Sequence, residues 1–433
     1  MRTLNTGVAA MAQSRRDVLK MVGAAAAVGL GAPRVRAQAA GRVIVVGGGF
    51  GGATCARYLR QVAPDLAVTL VEPSPSFVTC PFSNTVIAGL NGIEAITHGF
   101  DGLKAAGVEL VQDRVAGIDP VARTVTLAGG AVLEWDRLVV SPGIDFTPGA
   151  IEGYDAAAME VMPHAWKAGP QTLALRDQLR AMADGGTVVM TVPQNPFRCP
   201  PGPYERASLI AHYLKTEKPA SKLFVVDAKD SFSKQKLFQE GWALLYPGLL
   251  EWVPFAEAGN LLRVDAATRA VEAEFFDIKG DVVNVIPPQR AADIVRDSGL
   301  SGGEDWCSVD QSTFESAVAP GIHILGDAAI AGAMPKSGFS AGTQGKFCAY
   351  VIAALLKGEA PPVPSFINTC CSLLAPDDGI SVGDVFRVDA EGVIRTVEGS
   401  GGSSPLGASA EFRKAEADYA RGWYASTSAE IYG

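Results

Sequence analysis

Four histidines in 433 residues, no CxxC, no CxxCH and no uninterrupted apolar run of about twenty residues set the first limits on this chain. Without clustered His/Cys spacing no metal site is expected. Without CxxCH the chain carries no covalent c-type haem of its own, and without CxxC any redox cysteine pair must join distant segments. The lack of a spanning run predicts no membrane insertion. Basic residues are also the minority: the formal charge is −9, and it falls to −14 without residues 1–39, which hold six Lys/Arg and one Asp. That balance argues against nucleic acid and anionic membrane surfaces as partners and suits a basic protein partner.

A glycine-rich loop is present. Arg42-Val43-Ile44-Val45-Val46 reads as a buried parallel strand and leads into Gly47-Gly48-Gly49-Phe50-Gly51-Gly52. Gly47 and Gly49 permit a tight turn against a pyrophosphate, Gly52 permits close helix packing, and the helix N-terminus offers free N–H groups. Val68-Thr69-Leu70-Val71 then ends on Glu72, placed to accept a ribose hydroxyl. Strand, turn, helix, second strand and carboxylate in this order predict a dinucleotide site.

Residues 1–39 stand apart. Ser14-Arg15-Arg16-Asp17-Val18-Leu19-Lys20 precedes a short apolar stretch and Ala37-Gln38-Ala39, a small-x-small pattern. The arrangement resembles a twin-arginine export signal, so a soluble periplasmic protein is expected.

The first unit is echoed. Gly186-Thr187-Val188-Val189-Met190-Thr191 answers Gly41–Val46, and Val226-Asp227 answers Val71-Glu72. Val264-Asp265-Ala266-Ala267-Thr268-Arg269 answers Ile118-Asp119-Pro120-Val121-Ala122-Arg123. The expected fold is therefore α/β, with two Rossmann-like FAD/NAD(P)-type domains carrying inserted β-meanders, plus a C-terminal α+β interface domain. The boundaries read as 40–153 and 291–358 for a discontinuous FAD-binding domain, 154–290 for the second nucleotide-fold domain and 359–433 for the interface domain. In the second copy the phosphate loop is replaced by Val192-Pro193-Gln194-Asn195-Pro196-Phe197-Arg198-Cys199-Pro200-Pro201, whose prolines remove N–H donors. One bound dinucleotide and no nicotinamide site are expected, with NADH binding at a divergent loop as the alternative. Gly321-Ile322-His323-Ile324-Leu325-Gly326-Asp327 looks like a late return to the first domain. In disulfide reductase-like flavoproteins such a segment closes over FAD with its carboxylate on the ribityl chain.

Seven cysteines are present. Cys55 and Cys348 read as small core residues and Cys307 as structural, whereas Cys80, Cys199 and Cys370-Cys371 have unusual settings. Six segments carry a closer resemblance: Thr79-Cys80-Pro81-Phe82-Ser83-Asn84, Pro163–Gly169, Phe197–Arg206, Ile286–Ala291, Met334-Pro335-Lys336-Ser337-Gly338 and Asn368-Thr369-Cys370. They are closely similar to the flavoprotein subunit of flavocytochrome c sulfide dehydrogenase. The resemblance implies FAD bound covalently through a Cys80 thioether and a redox-active disulfide between Cys199 and Cys370, with Cys371 left open as the alternative partner. It also implies sulfide as substrate and a cytochrome c subunit as the heterodimer partner and electron acceptor. Glu205 is a candidate acid/base group or a solvated carboxylate. Lys336 and the helix start behind it are candidates for holding negative charge on reduced flavin, or an ordinary helix start. Two rival readings are a sulfide:quinone reductase-like enzyme and a non-catalytic flavoprotein electron relay. The densely charged stretch Phe412–Tyr424 favours the cytochrome reading over a membrane quinone.

Overall fold

The computed structural model describes residues 40–433, so the arginine pair and the rest of the expected export signal lie outside the described residues. In chain order the first unit runs β1 (Arg42–Val46), α1 (Phe50–Val62), β2 (Ala67–Val71), the short α2 (Ser83–Ile87) and β3 (Glu109–Val111). A meander follows, β4 (Val115–Asp119), β5 (Thr124–Leu127) and β6 (Val132–Glu134), then β7 (Arg137–Val140) and β8 (Ile144–Phe146). The second unit runs α3 (Pro170–Ala181), β9 (Thr187–Val192), α4 (Gly202–Glu217), β10 (Lys222–Asp227), α5 (Gln235–Leu245) and β11 (Leu250–Val253). Its meander is β12 (Leu261–Asp265), β13 (Ala270–Ala273) and β14 (Asp277–Lys279), and β15 (Val282–Val285) and β16 (Gln289–Ala291) complete it. The chain returns with β17 (Ile322–Ile324) and α6 (Gly338–Lys357), and ends in β18 (Ser365–Ala375), β19 (Asp378–Val388), β20 (Ile394–Thr396), β21 (Gly402–Ser403) and α7 (Ala410–Tyr432).

The first sheet has strand order β17-β7-β1-β2-β3 and the second β11-β10-β9-β15, and every pair in both is parallel. Their central strands are largely apolar because each sheet is covered on both faces, by helices on one (α1 and α6 on Val43 and Val45, α3 and α4 on Val188 and Met190) and by its own meander on the other (Val125 and Leu127 on Ile44 and Val46, Val264 and Val271 on Val189 and Val283). The internal echo is thus a structural repeat: β1, β2 and β7 correspond in order to β9, β10 and β15, and each copy carries an antiparallel three-stranded meander. The second copy lacks a counterpart of β17. The C-terminal unit is an antiparallel sheet, β18-β19-β20 with β21 also on β19, packed against α7.

Helix α1 lies unusually close to its strand. A Cβ on Gly52 would stand 2.0 Å from Gly47 O, so only glycine admits this approach. The far end of α7 reaches the same loop, where Tyr432 donates its hydroxyl to Gly48 O at 3.2 Å and stacks near Phe77 and His98. The C-terminal helix therefore runs from the glycine loop, at Tyr432, to the cysteine-bearing strand, at Ala417 and Ala420.

Gly52→Ala forces backbone apart and should cost about 1–3 kcal/mol in denaturant unfolding. Gly99→Ala meets nothing within 4 Å and should stay within about 0.5 kcal/mol of wild type. Equal losses in the two variants would refute the packing argument.

Candidate functional site

Four segments distant in sequence meet around the start of α6. They are the loop 79–84 before α2, the segment 163–169, the proline-rich loop 193–201 entering α4, and strand β18. A cavity of about 560 Å³ is lined by Pro196, Trp306, Gly326, Lys336, Ser337 and Gln344 among others. A second, of about 110 Å³, adjoins it at Ser337 and is lined by Cys80, Cys199, Glu205, Arg206, Cys370 and Cys371 among others. Thus Cys80, Cys199, Glu205 and Cys370 share one cavity, and Lys336 lines its neighbour.

Cys199 sits in left-handed backbone, φ 58°, held by its N–H donating to Lys336 O at 2.7 Å and its carbonyl accepting from Gly202 N at 2.8 Å. Gly202 is needed there because a Cβ would lie 2.9 Å from Cys199 Sγ. All seven cysteines are unbonded thiols, so the Cys199–Cys370 disulfide is not formed in this structure. Burial pushes the Cys199 thiol up, and negative charge on Cys370 pushes it further. Strand alternation puts Asn368, Cys370 and Ser372 on one face of β18. Asn368 Nδ2 donates to Cys370 Sγ at 3.3 Å, while its Oδ1 accepts from Ser337 Oγ at 2.7 Å and Ser340 Oγ at 3.2 Å. Cys371 falls on the other face, against Leu209, Leu373, Ala417 and Ala420, where burial pushes its thiol up to about 12. Cys55, Cys307 and Cys348 are fully buried in the hydrophobic cores.

Glu205 is not a solvated carboxylate. It stands in the first turn of α4 and accepts from Asn84 Nδ2 at 2.7 Å and from Leu373 N at 2.9 Å, joining loop 79–84 to β18. Burial raises its pKa against the pull of these donors and of Lys234 and Arg206. Cys80 directs its sulfur toward Trp166 O at 3.5 Å.

Two residues of weight were missed in the sequence. Arg206 is fully buried and donates to Asn84 Oδ1, His164 O, Ala165 O and Asn284 Oδ1 at 2.6–3.0 Å, with its guanidinium over the Trp166 ring. Lys234 donates to Cys370 O at 2.7 Å and Ser372 Oγ at 2.9 Å. Arg206 directly follows Glu205 in the Phe197–Arg206 segment, and that adjacency is a usable signal. Lys234 had none.

The residues fit FAD. Glu72 is fixed at the end of β2 by Gly48 N at 2.8 Å and Ser74 N at 3.0 Å, and a carboxylate keeps further lone pairs for a ribose. The first turn of α1, which Gly49 caps, has N–H groups without helical partners, as any helix start does. Asp327 lies just beyond β17, and its Oδ1 is buried without any hydrogen-bond partner, which a ribityl hydroxyl would supply. Burial raises the Asp327 pKa, opposed by Arg198 and Lys336. Lys336 donates to Asp327 O at 2.7 Å and Ala329 O at 2.9 Å and lies over the Trp306 ring, where burial lowers its pKa to about 8. It is therefore a buried cation, not a solvated one.

The counterpart of Glu72 in the second unit is Asp227, and its carboxylate is already taken. It accepts from Tyr204 Oη at 2.6 Å, Trp252 Nε1 at 3.0 Å and Lys229 Nζ at 2.6 Å. Tyr204 and Phe232 stack at 3.6 Å above it. Among the described residues no group of three His/Cys/Asp/Glu side chains is arranged to hold a metal ion.

Comparison with known proteins agrees with this geometry. Residues 172–287 match the family described as sulfide dehydrogenase (flavocytochrome c) flavoprotein chain, central, and residues 362–432 match flavocytochrome c sulphide dehydrogenase, flavin-binding. Over 45 residues the chain is 69% identical to the sulfide dehydrogenase (flavocytochrome c) flavoprotein chain of Chlorobaculum thiosulfatiphilum, covering 94% of that sequence and 10% of this one. The chain belongs to the flavocytochrome c sulfide dehydrogenase flavoprotein family. Residues 41–178 also match pyridine nucleotide-disulphide oxidoreductase. The mitochondrial sulfide:quinone oxidoreductase of Mus musculus is 23% identical over 304 residues, 66% of this chain and 65% of that protein's length. The fold resembles the sulfide:quinone oxidoreductase structure from Aquifex aeolicus, with TM-score 0.70, 17% identity and coverage of 90% and 92% of the two chains. In this family member the second nucleotide fold has become a wall for the cysteine cavity.

With Asp227 occupied, millimolar NADH should leave the flavin spectrum unchanged under anaerobic conditions; bleaching would restore the nicotinamide reading. Asp227→Ala strands the buried Lys229 and should lower unfolding free energy by about 3–5 kcal/mol.

Proposed function

We propose that the protein is the flavoprotein subunit of a sulfide dehydrogenase that oxidises sulfide with FAD and a Cys199–Cys370 disulfide and passes electrons to a cytochrome c subunit. The observation that carries this reading is the gathering of Cys80, Cys199, Glu205 and Cys370 around one cavity. Hydrosulfide attacks one sulfur of the disulfide. A new S–S bond forms a cysteine persulfide, the old S–S bond breaks, and its electron pair leaves on the other cysteine as thiolate. Glu205, with a raised pKa and two fixed donors, takes the proton when the incoming species is neutral hydrogen sulfide. Asn368 points an N–H at Cys370 sulfur and so steadies charge there. FAD, when bound, supplies a two-electron acceptor for the reduced pair. Gly47, Gly49, Gly52 and Glu72 would hold its dinucleotide end, Asp327 its ribityl chain, and Cys80 would tether it by a thioether. Lys336, a buried cation beside Asp327, would balance the charge it gains.

Export through the twin-arginine signature would place this chemistry in the periplasm, where a soluble cytochrome is an accessible acceptor. A sulfide:quinone reaction is the second reading, favoured by the match to the mouse enzyme. Against it stands α7, whose exposed flank carries Lys414, Asp418 and Arg421 in ion pairs. Among the described residues no helix is long and apolar enough to cross a membrane.

Anaerobic titration should bleach the flavin with one equivalent of sulfide, and acid precipitation should leave the yellow colour in the pellet. Cys80→Ala should release the colour to the supernatant, while Cys199→Ser and Cys370→Ser should abolish bleaching. Retained bleaching in Cys199→Ser would overturn the disulfide mechanism. Glu205→Gln should lower turnover by about 10²-fold and flatten the acid limb of the pH profile, because the base is lost as its carboxylate protonates. An unchanged acid limb would remove Glu205 from the mechanism.

A further inference from the structure

Lys234 has no place in the chemistry described so far, yet it sits against the cysteine strand. It precedes α5 in left-handed backbone, φ 61°, and sends its side chain across the domain boundary to β18. There its ammonium donates to Cys370 O at 2.7 Å, to Ser372 Oγ at 2.9 Å and, at longer range, to Ile380 O at 3.5 Å. Phe238 lies beneath it, its ring 5.7 Å away. None of these partners is a carboxylate, so the cation is held by dipoles alone. Burying a charge that way costs free energy unless a counter-charge arrives.

The counter-charges available are those of the cavity: Cys199 from the proline-rich loop, Glu205 from α4, and Cys370 and Cys371 from β18. Burial depresses the ammonium, and these four groups restore it. In return its charge pulls down Cys199, Glu205 and Cys371. Arg206 also faces Cys80, Cys199 and Glu205, and Cys80 in turn opposes charge on Cys199, but the other cations donate elsewhere. Arg206 is spent on Asn84, Asn284 and the carbonyls of His164 and Ala165, and Arg198 lies 3.8 Å from Asp327 and donates to Trp166 O. Glu416 faces Cys371 from α7 and opposes the effect.

We propose that Lys234 is the positioning cation of the cysteine cavity, holding the single negative charge that remains on the Cys199/Cys370 pair once sulfide has opened their bond. This rests on the disulfide reading above and deepens it. The step balances without another reagent: hydrosulfide brings one negative charge, the S–S bond it breaks leaves one thiolate, and the sulfide proton stays on the persulfide. Lys234 neither touches the sulfide nor carries electrons. It sets how much of the reduced pair is thiolate at neutral pH, and so how readily electrons leave it.

The test uses the FAD-loaded protein with the pair reduced by a phosphine. Alkylation of Cys199 and Cys370 by iodoacetamide is followed per peptide by mass spectrometry across about pH 5 to 10. Lys234→Gln keeps a donor for Cys370 O and Ser372 Oγ and removes the charge. It should move the alkylation midpoint up by about one pH unit, a tenfold loss of thiolate at neutral pH. Lys234→Arg should hold the wild-type midpoint. Sulfide bleaching by Lys234→Gln should slow by a similar factor at neutral pH and recover as the pH rises. An unchanged midpoint in Lys234→Gln would overturn the proposal and leave the disulfide reading standing. Bleaching that survives in Cys199→Ser would overturn the disulfide reading whatever the midpoints do. Should Lys234→Gln fail to accumulate, Lys234→Met in the same assay gives the same two outcomes.

Discussion

Arg206 lies in the interior with its guanidinium donating to Asn84 on one side and to Asn284, His164 O and Ala165 O on the other. Burial lowers its pKa to about 10, which still leaves it charged at neutral pH. A buried guanidinium is tolerated only where its N–H groups find acceptors, so each acceptor must be kept in place. Those acceptors belong to loop 79–84 in the first nucleotide unit and to segment 163–169 and β15 in the second. The residue carrying the guanidinium is the neighbour of Glu205 on α4. Cys80, Glu205 and the wall provided by Trp166 are thereby registered to one another through a single side chain. A lysine would not serve, because one ammonium with three donors cannot reach four acceptors spread around the rim of a planar guanidinium.

The remaining half of the site hangs on β18. Leu373 N donates to Glu205 and Lys234 to Cys370 O, which ties the strand to the second nucleotide unit, while Asn368, itself a donor to Cys370 Sγ, accepts from Ser337 and Ser340 of the first. The period of two along the strand then separates neighbours that the sequence leaves equivalent. Cys370 shares a face with Asn368 and Ser372, whereas Cys371 turns toward the small residues of α7. Asn368 is oriented by the two hydroxyls at the start of α6, which gives that helix a role beyond its N-terminal dipole.

Local patterns made the nucleotide units legible in the sequence. The glycine loop, the β-branched strands and the terminal carboxylates each follow from constraints within a few residues, and the internal echo doubles the signal. The loss of the second phosphate loop was equally readable, since prolines at 193, 196, 200 and 201 remove donors wherever they fold. What replaced the lost ligand was not readable. Tyr204 from α4 and Trp252 from β11 converge on Asp227, joining Lys229 two residues on, and no spacing announces the two long-range partners. Lys234 escaped for the same reason: its position before a helix looks like a solvated lysine, and only the tertiary path to β18 gives it a partner. Glu205 could be read either way until Asn84 and Leu373 N were seen to hold it.

The protein is acidic overall, yet Arg198 and Arg206 line the cysteine cavity beside the single carboxylate of Glu205, Lys336 lines its neighbour, and Lys234 reaches β18 at Cys370 O. This inversion follows from what each surface has to attract. A concave site with low-dielectric walls focuses the field of its own charges, so a small anion is drawn by the cations within while the outer surface repels it only weakly through screening water. In the proposed reaction hydrosulfide is such an anion, and thiolate is the charge it would leave behind. The acidic exterior would suit a larger basic partner, which cannot enter the cavity and senses only the surface. On the proposed function one chain would present opposite signs to its substrate and to its electron acceptor, provided the cations are buried against carbonyls and rings rather than paired with carboxylates. Lys234 and Lys336 are held in that way, by carbonyl and hydroxyl oxygens and an aromatic face.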